Sequence, residues 1–222
     1  MKSFSLVGRF AALALCFAVT ACASQVKVPD YTAFKAAKPR TILVLPPVNH
    51  TPDIKATSGL LSQMTLPLAE GGYYVIPVTL ETETFRQNGL SVPDEIIQVP
   101  AEKLRTIYGA DAVLYTTITD YGSVYHVINS NTVVTASAKL VDLKTGSVLW
   151  TGTGTASSAE KNQNSGAGGL IGVLVNAAIN QVVDSLTDES FVEAGTAANR
   201  LLKVGPPDGL LYGPRSVKYG TD

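Results

Sequence analysis

The sequence predicts an α/β (α+β) fold: a mixed sheet that starts strand-helix-strand-helix-strand, adds a β-hairpin and closes with a long late helix. Three observations predict it. Apolar, β-branched runs at 41–48, 73–78 and 111–121 are separated by segments with helical periodicity. Residues 131–143 alternate apolar and polar, then meet a Lys-Thr-Gly-Ser turn. Residues 170–186 carry a wide apolar stripe.

In chain order, TILVLPPV (41–48) is the first strand, and Pro46 and Pro47 should end its ladder pairing. Ser58 is placed to cap a helix bearing Leu60, Leu61, Met64 and Leu68, which Pro67 should kink or end early. Gly71 and Gly72 close it, and YYVIPV (73–78) is the second strand. Residues 81–98 read as loop plus a short helix. Pro100 fits the first turn of a helix that buries Leu104, Ile107 and Tyr108 and stops at Gly109. In the third strand (111–121), Ala112, Leu114, Thr116 and Ile118 share one face; Val113, Tyr115, Thr117 and Thr119 share the other. The long strand 131–143 turns Val134, Ala136, Ala138 and Leu140 to its apolar side, and 148–150 begins the return strand. Residues 156–169 are polar, then Gly-rich, and read as a mobile loop; 205–222 reads as an extended Pro/Gly-rich tail.

The chain has 222 residues, 17 Lys+Arg against 18 Asp+Glu, and a formal net charge of −1. That balance argues against nucleic-acid binding, which is usually marked by a basic excess. Hydrophobic content of 45% with 16% charged residues excludes a disordered chain. Two Cys and two His leave little for a zinc site.

The N-terminus is an address. Lys2 and Arg9 precede an apolar run at 10–19, too short to span a bilayer, which ends in Val19-Thr20-Ala21-Cys22. This pattern resembles the lipobox of bacterial lipoproteins. A thiol that accepts diacylglycerol must stand at the cut site, and small side chains before it admit the backbone to the peptidase. Cys16 follows the bulky Leu15 and does not fit. The alternative is a plain secretory signal cut near Ala21 or Ala23. Cleavage before Cys22 makes 1–21 the signal peptide, 22–40 a lipidated tether, 41–204 one globular domain and 205–222 the tail. The mature chain then holds 15 basic and 18 acidic residues, net −3, and no cysteine besides Cys22. Attached acyl chains, palmitate among them, anchor it stably when two or more are present. Ala23 and Ser24 lack the Asp associated with inner-membrane retention. The expected location is therefore the outer membrane, facing the periplasm, with surface exposure as the alternative.

No catalytic constellation emerges. His50 and His126 have no second ligand at turn or helix spacing; G-x-S-x-G and H-E-x-x-H are absent. Ser123 has no evident general-base partner. Asp94-Glu95 and Asp188-Glu189 are sequence neighbours whose side chains diverge, so they read as helix-end and surface charges. Gly166, Gly168 and Gly172 precede a helix, but late in the chain and away from the strand that a dinucleotide loop requires. No cofactor or metal is expected, and the chain reads as a non-enzyme. The helix at 170–186 offers the candidate partner-binding residues Leu170, Leu174, Asn176 and Asn180, and its spaced polar groups argue against a membrane span.

Three segments carry a family resemblance. ILVLPPVN (42–49), GADAVLYTTITDYG (109–122) and LVDLKTGSVLW (140–150) look like successive elements of the Tol-system N-terminal domain and the curli-export lipoproteins. GGLIGVLVNAAINQVVDSL (168–186) and LLYGPRSVKYG (210–220) resemble an uncharacterised lipoprotein family that includes a genome-derived vaccine-candidate antigen. The resemblance implies a Tol N-terminal-domain-like sandwich and a non-catalytic accessory role beside envelope or curli-type export proteins. It supplies no catalytic residues. The alternative is a homo-oligomeric pore or ring subunit, although the single 131–155 hairpin is too Ala- and Thr-mixed to read as a barrel wall. A ligand-binding or hydrolytic lipoprotein is the third class.

Overall fold

The computed structural model describes residues 29–125, 130–160 and 189–222. The elements are α1 (Thr32–Ala37), β1 (Thr41–Val44), β2 (Val48–Asn49), α2 (Ala56–Glu70), β3 (Tyr74–Val75), α3 (Val78–Gln87), α4 (Pro93–Ile96), α5 (Ala101–Tyr108), β4 (Ala112–Tyr125), β5 (Ser130–Asp142), β6 (Val148–Ser157) and α6 (Glu189–Leu201). The expected mixed α/β sheet is present. Its strand order is β3-β1-β4-β5-β6, with β2 also on β4. β1 runs parallel to β3 and β4, whereas β4-β5-β6 is an antiparallel meander.

The prolines at 46 and 47 interrupt the ladder without ending it. Val44 pairs with Leu114 and Val48 with Thr117, so one extra residue is accommodated where no N–H is available. Pro67 does not end α2 early. The helix runs on to Glu70, because Leu60, Met64 and Leu68 are fully buried on one face and outweigh a bond lost near the last turn. Ser58 lies inside that helix and donates to Lys55 O instead of capping. The second strand is only Tyr74–Val75; Pro77 starts α3 early, and 81–98 holds most of α3 and all of α4. α5 buries Leu104 and stops at Gly109 as expected, but Ile107 is 54% exposed.

Two cores flank the sheet. Ile42, Val44, Leu114, Ile118, Val134, Ala136 and Leu140 pack under α1, α2 and α6. Leu43, Leu45, Val113 and Val141 pack under α3, α4 and α5 with Phe85, Ile96 and Leu104. The alternation read in β4 and β5 produces this division: Ala112, Leu114, Thr116 and Ile118 are all buried on the first side.

Three segments differ from expectation. β6 extends to Ser157 and takes in the start of the expected loop. α6 had no counterpart in the sequence reading, because its buried face is Ala194, Ala197, Ala198 and Leu201, a weak hydrophobic signal. Those small side chains let the helix sit close on β6. Residues from 31 to 40, expected as tether, belong to the domain, with Phe34 in the core.

The C-terminal segment is a strap. Leu210 is fully buried and Leu211 nearly so. Tyr31 and Tyr73 donate their hydroxyls to Gly209 O and Leu211 O, and Trp150 Nε1 donates to Asp208 O at 3.1 Å. Gly213 N and Arg215 N donate to Gly71 O and Gly72 O. Gly72 has φ +98°, and a Cβ there would lie 2.5 Å from Ser216 N, so the crossing requires glycine. Leu210→Ala should therefore cost about 3 kcal/mol, as a fully buried leucine does. Urea unfolding checks this; a loss near zero would show that the strap is dispensable.

Candidate interaction surface

Among the described residues, the second side of the sheet is covered only in part. Beyond α4 and α5, β4, β5 and β6 present a face to solvent. Its composition follows from the pleat. Tyr115, Lys139 and Thr151 stand opposite one another across the three strands, and Thr117, Ser137 and Thr153 form the next row. Ser137, Lys139, Thr151 and Thr153 are exposed, while Tyr115 and Thr117 are half-buried. Lys139 Nζ lies 5.4 Å from the Tyr115 ring centroid. The face forms a depression of about 870 Å³, bounded by Ile97 and Ala101 on one side and Gly146 and Val148 on the other. Burial pushes the Tyr115 hydroxyl pKa up, so the phenol remains a neutral donor. Among the described residues, the lining offers hydroxyls, one ring and one ammonium, and contains no carboxylate or imidazole. Such a set can hydrogen-bond and stack; it holds no paired acid and base.

A buried carboxyl lies on the same side of the sheet. Glu81 in α3 is fully buried; Oε2 accepts from Thr82 Oγ1 at 3.1 Å, and Oε1 has no hydrogen-bond partner. The neighbouring Tyr108 hydroxyl donates to the Glu81 carbonyl, not to the carboxyl. Burial raises the Glu81 pKa from the ordinary 4.5 to about 7, opposed by the Thr82 bond. The native state then keeps a proton that the unfolded chain has lost. Stability is fullest below pH 4.5 and falls by roughly 1.4 kcal/mol per pH unit as pH rises towards 7. The urea midpoint should drop between pH 5 and pH 7, and Glu81→Gln should flatten that drop. An unchanged slope in the variant would contradict this assignment.

Among the described residues, no group of three His, Cys, Asp or Glu could hold a metal ion, and no helix is long and apolar enough to cross a membrane. His50 is exposed after β2. Asn49 and Thr51 are used locally: Asn49 Oδ1 accepts from Thr51 N and Oγ1, and its Nδ2 donates to Asp53 O. Asp94 and Glu95 are exposed in the first turn of α4. Val19, Thr20, Ala21, Cys22, Leu170, Leu174, Asn176 and Asn180 lie outside the described residues, as do His126 and the glycines at 166, 168 and 172. Among the described residues, the structure assembles a row of hydroxyls whose sequence signal was the alternation through Tyr115 and Thr117.

A family profile described as "Putative lipoprotein GNA1162-like" matches residues 29–215. The chain belongs to the GNA1162-like lipoprotein family. A relative from Neisseria meningitidis serogroup B, "Putative lipoprotein NMB1124/NMB1162", is 46% identical over 208 residues, 93% of this chain and 95% of its own length. The crystal structure of lipoprotein GNA1162 from Neisseria meningitidis superposes with a TM-score of 0.52 at 44% identity, covering 66% of this chain and 99% of that one. A PelC dodecamer from Paraburkholderia phytofirmans is 20% identical, with a TM-score of 0.39 over 54% of this chain and 72% of its own. At that distance the likeness bears on neither assembly nor partner. Membership in the GNA1162-like family makes this chain a lipoprotein and, with that, membrane-anchored.

Proposed function

We propose that this GNA1162-like lipoprotein is acylated at Cys22, sits in the outer membrane facing the periplasm, and works as a non-catalytic accessory component of a curli-type export or envelope-maintenance complex. The observation that carries this reading is Val19-Thr20-Ala21-Cys22 at the end of a short apolar run, in a chain of a lipoprotein family. The open β4-β5-β6 face supports contact work: it is broad, polar and accessible, and among the described residues its lining has no group poised to transfer a proton. Partner contact is tested in intact cells with a photo-crosslinking residue at Thr117, Ser137 or Thr153, and at exposed Ile54 as the control. Defined adducts with one envelope protein from the three face positions, and none from Ile54, are expected. Equal, diffuse adducts from all four would overturn this use of the face. Analytical ultracentrifugation of detergent-solubilised protein separates the accessory reading, a monomer or dimer, from a ring subunit.

A further inference from the structure

The end of the domain where the chain enters carries a charge opposite to the rest. α1 and the strap meet there. Residues 29–40 and 211–222 hold Lys35, Lys38, Arg40, Arg215 and Lys218 against Asp30 and Asp222. The rest of the mature chain has 10 basic and 16 acidic residues. The five cations are exposed. Arg40 and Arg215 line one depression of about 440 Å³ with Tyr74; Lys35 and Lys38 line its neighbour of about 290 Å³ with Tyr212 and Tyr219. Arg215 lies over the Tyr74 ring at 5.1 Å and Lys218 over Tyr212 at 5.5 Å. Lys35 Nζ donates to Asp222 O, and Asp222 lines the same depression, so that acidic residue offsets part of the local positive charge. Between these cations Val217 is wholly exposed, and Tyr219 and Tyr74 are nearly half exposed.

We propose that this end is a foot that rests on an anionic lipid surface: the five cations meet the headgroup phosphates, and Val217 and Tyr219 enter among them. The inference rests on acylation at Cys22. Only six residues lie between Cys22 and Pro29, at most about 25 Å of extended chain. α1 adds about 9 Å. A domain so short-leashed meets the membrane constantly, and its charge asymmetry turns the basic end towards a negative surface. Tyrosine beside exposed apolar and basic side chains is the composition that settles at a headgroup boundary.

The test uses the full chain, matured and lipidated, with a spin label at Val217→Cys. Cys22 is acylated, so the new thiol is unique. Vesicles are phosphatidylcholine alone or with about 30% phosphatidylglycerol. Collision of the label with a neutral, water-soluble nickel chelate should fall about threefold on the anionic vesicles and recover in ~1 M salt. Lys35→Glu with Arg215→Glu should abolish the protection, and a label at Ile107→Cys should report no change. Equal accessibility on both vesicles, with the protein still floating with lipid, overturns the foot and spares the anchor. Protection already present in detergent, without vesicles, overturns it in favour of a protein contact. Failure to float removes the anchor, and the foot with it.

Discussion

Cys22→Ser should arrest maturation of the chain. The thioether to diacylglycerol cannot form on a hydroxyl, and cleavage after Ala21 follows that transfer. The 222-residue precursor should accumulate, heavier by 21 residues than the wild-type product. Metabolic labelling with a fatty acid followed by gel electrophoresis reads both effects. Cys16→Ser is the control: Leu15 precedes it, so labelling and size should match wild type. If Cys22→Ser is labelled and processed normally, the anchor lies elsewhere and the placement of the domain falls. The expected effect is all-or-none, because two or more acyl chains separate stable anchoring from free diffusion.

Gly154→Val should be the most damaging single change to the fold. A Cβ at 154 would stand 2.5 Å from Ala197 O and 2.6 Å from Leu201 N, both backbone atoms of α6. Valine suits a strand by propensity, so any loss reflects the contact alone. Either β6 or α6 must withdraw, opening the core around Ala136, Ala156 and Ala198. A loss of about 3 kcal/mol is expected, lowering the melting temperature by roughly 6–12 °C for a chain of this size. Gly195→Ala on the same helix provides the contrast. Its Cβ would meet only the end of the Gln63 side chain at 3.3 Å, and alanine in a helix gains up to about 1 kcal/mol over glycine. Calorimetry should show the two variants moving in opposite directions. If both are neutral, α6 does not pack against β6 as described.

The same interface explains how far the sequence could be read. β4 and β5 were legible because strong side chains alternate: Leu114 and Ile118 face Ala136 and Leu140 across one pleat. α2 was legible from Leu60, Met64 and Leu68, although Pro67 suggested an earlier end than packing allows. α6 was not, because a close approach selects alanine and glycine, which carry no periodic hydrophobic signal. The strap was misread for a related reason. Pro and Gly in 205–222 normally mark loose chain, but here Gly72 and Gly213 let two backbones cross, and Leu210 is drawn into the core. Glu81 was hidden because acidic residues are expected at surfaces; only its place between Val78 and Phe85 on one helix face hints at burial. The open face depends on which strands the helices leave uncovered, and that is a property of topology. The lipobox-like run at 19–22 needs no fold to be read, which is why it was the clearest functional signal in the sequence.

Intact mass spectrometry of the chain extracted from membranes tests the account most directly. A polypeptide that begins at Cys22 and carries diacylglycerol with further acyl mass on that residue is the predicted result. An unmodified Cys22 thiol, or a mature chain that begins beyond it, would contradict the account.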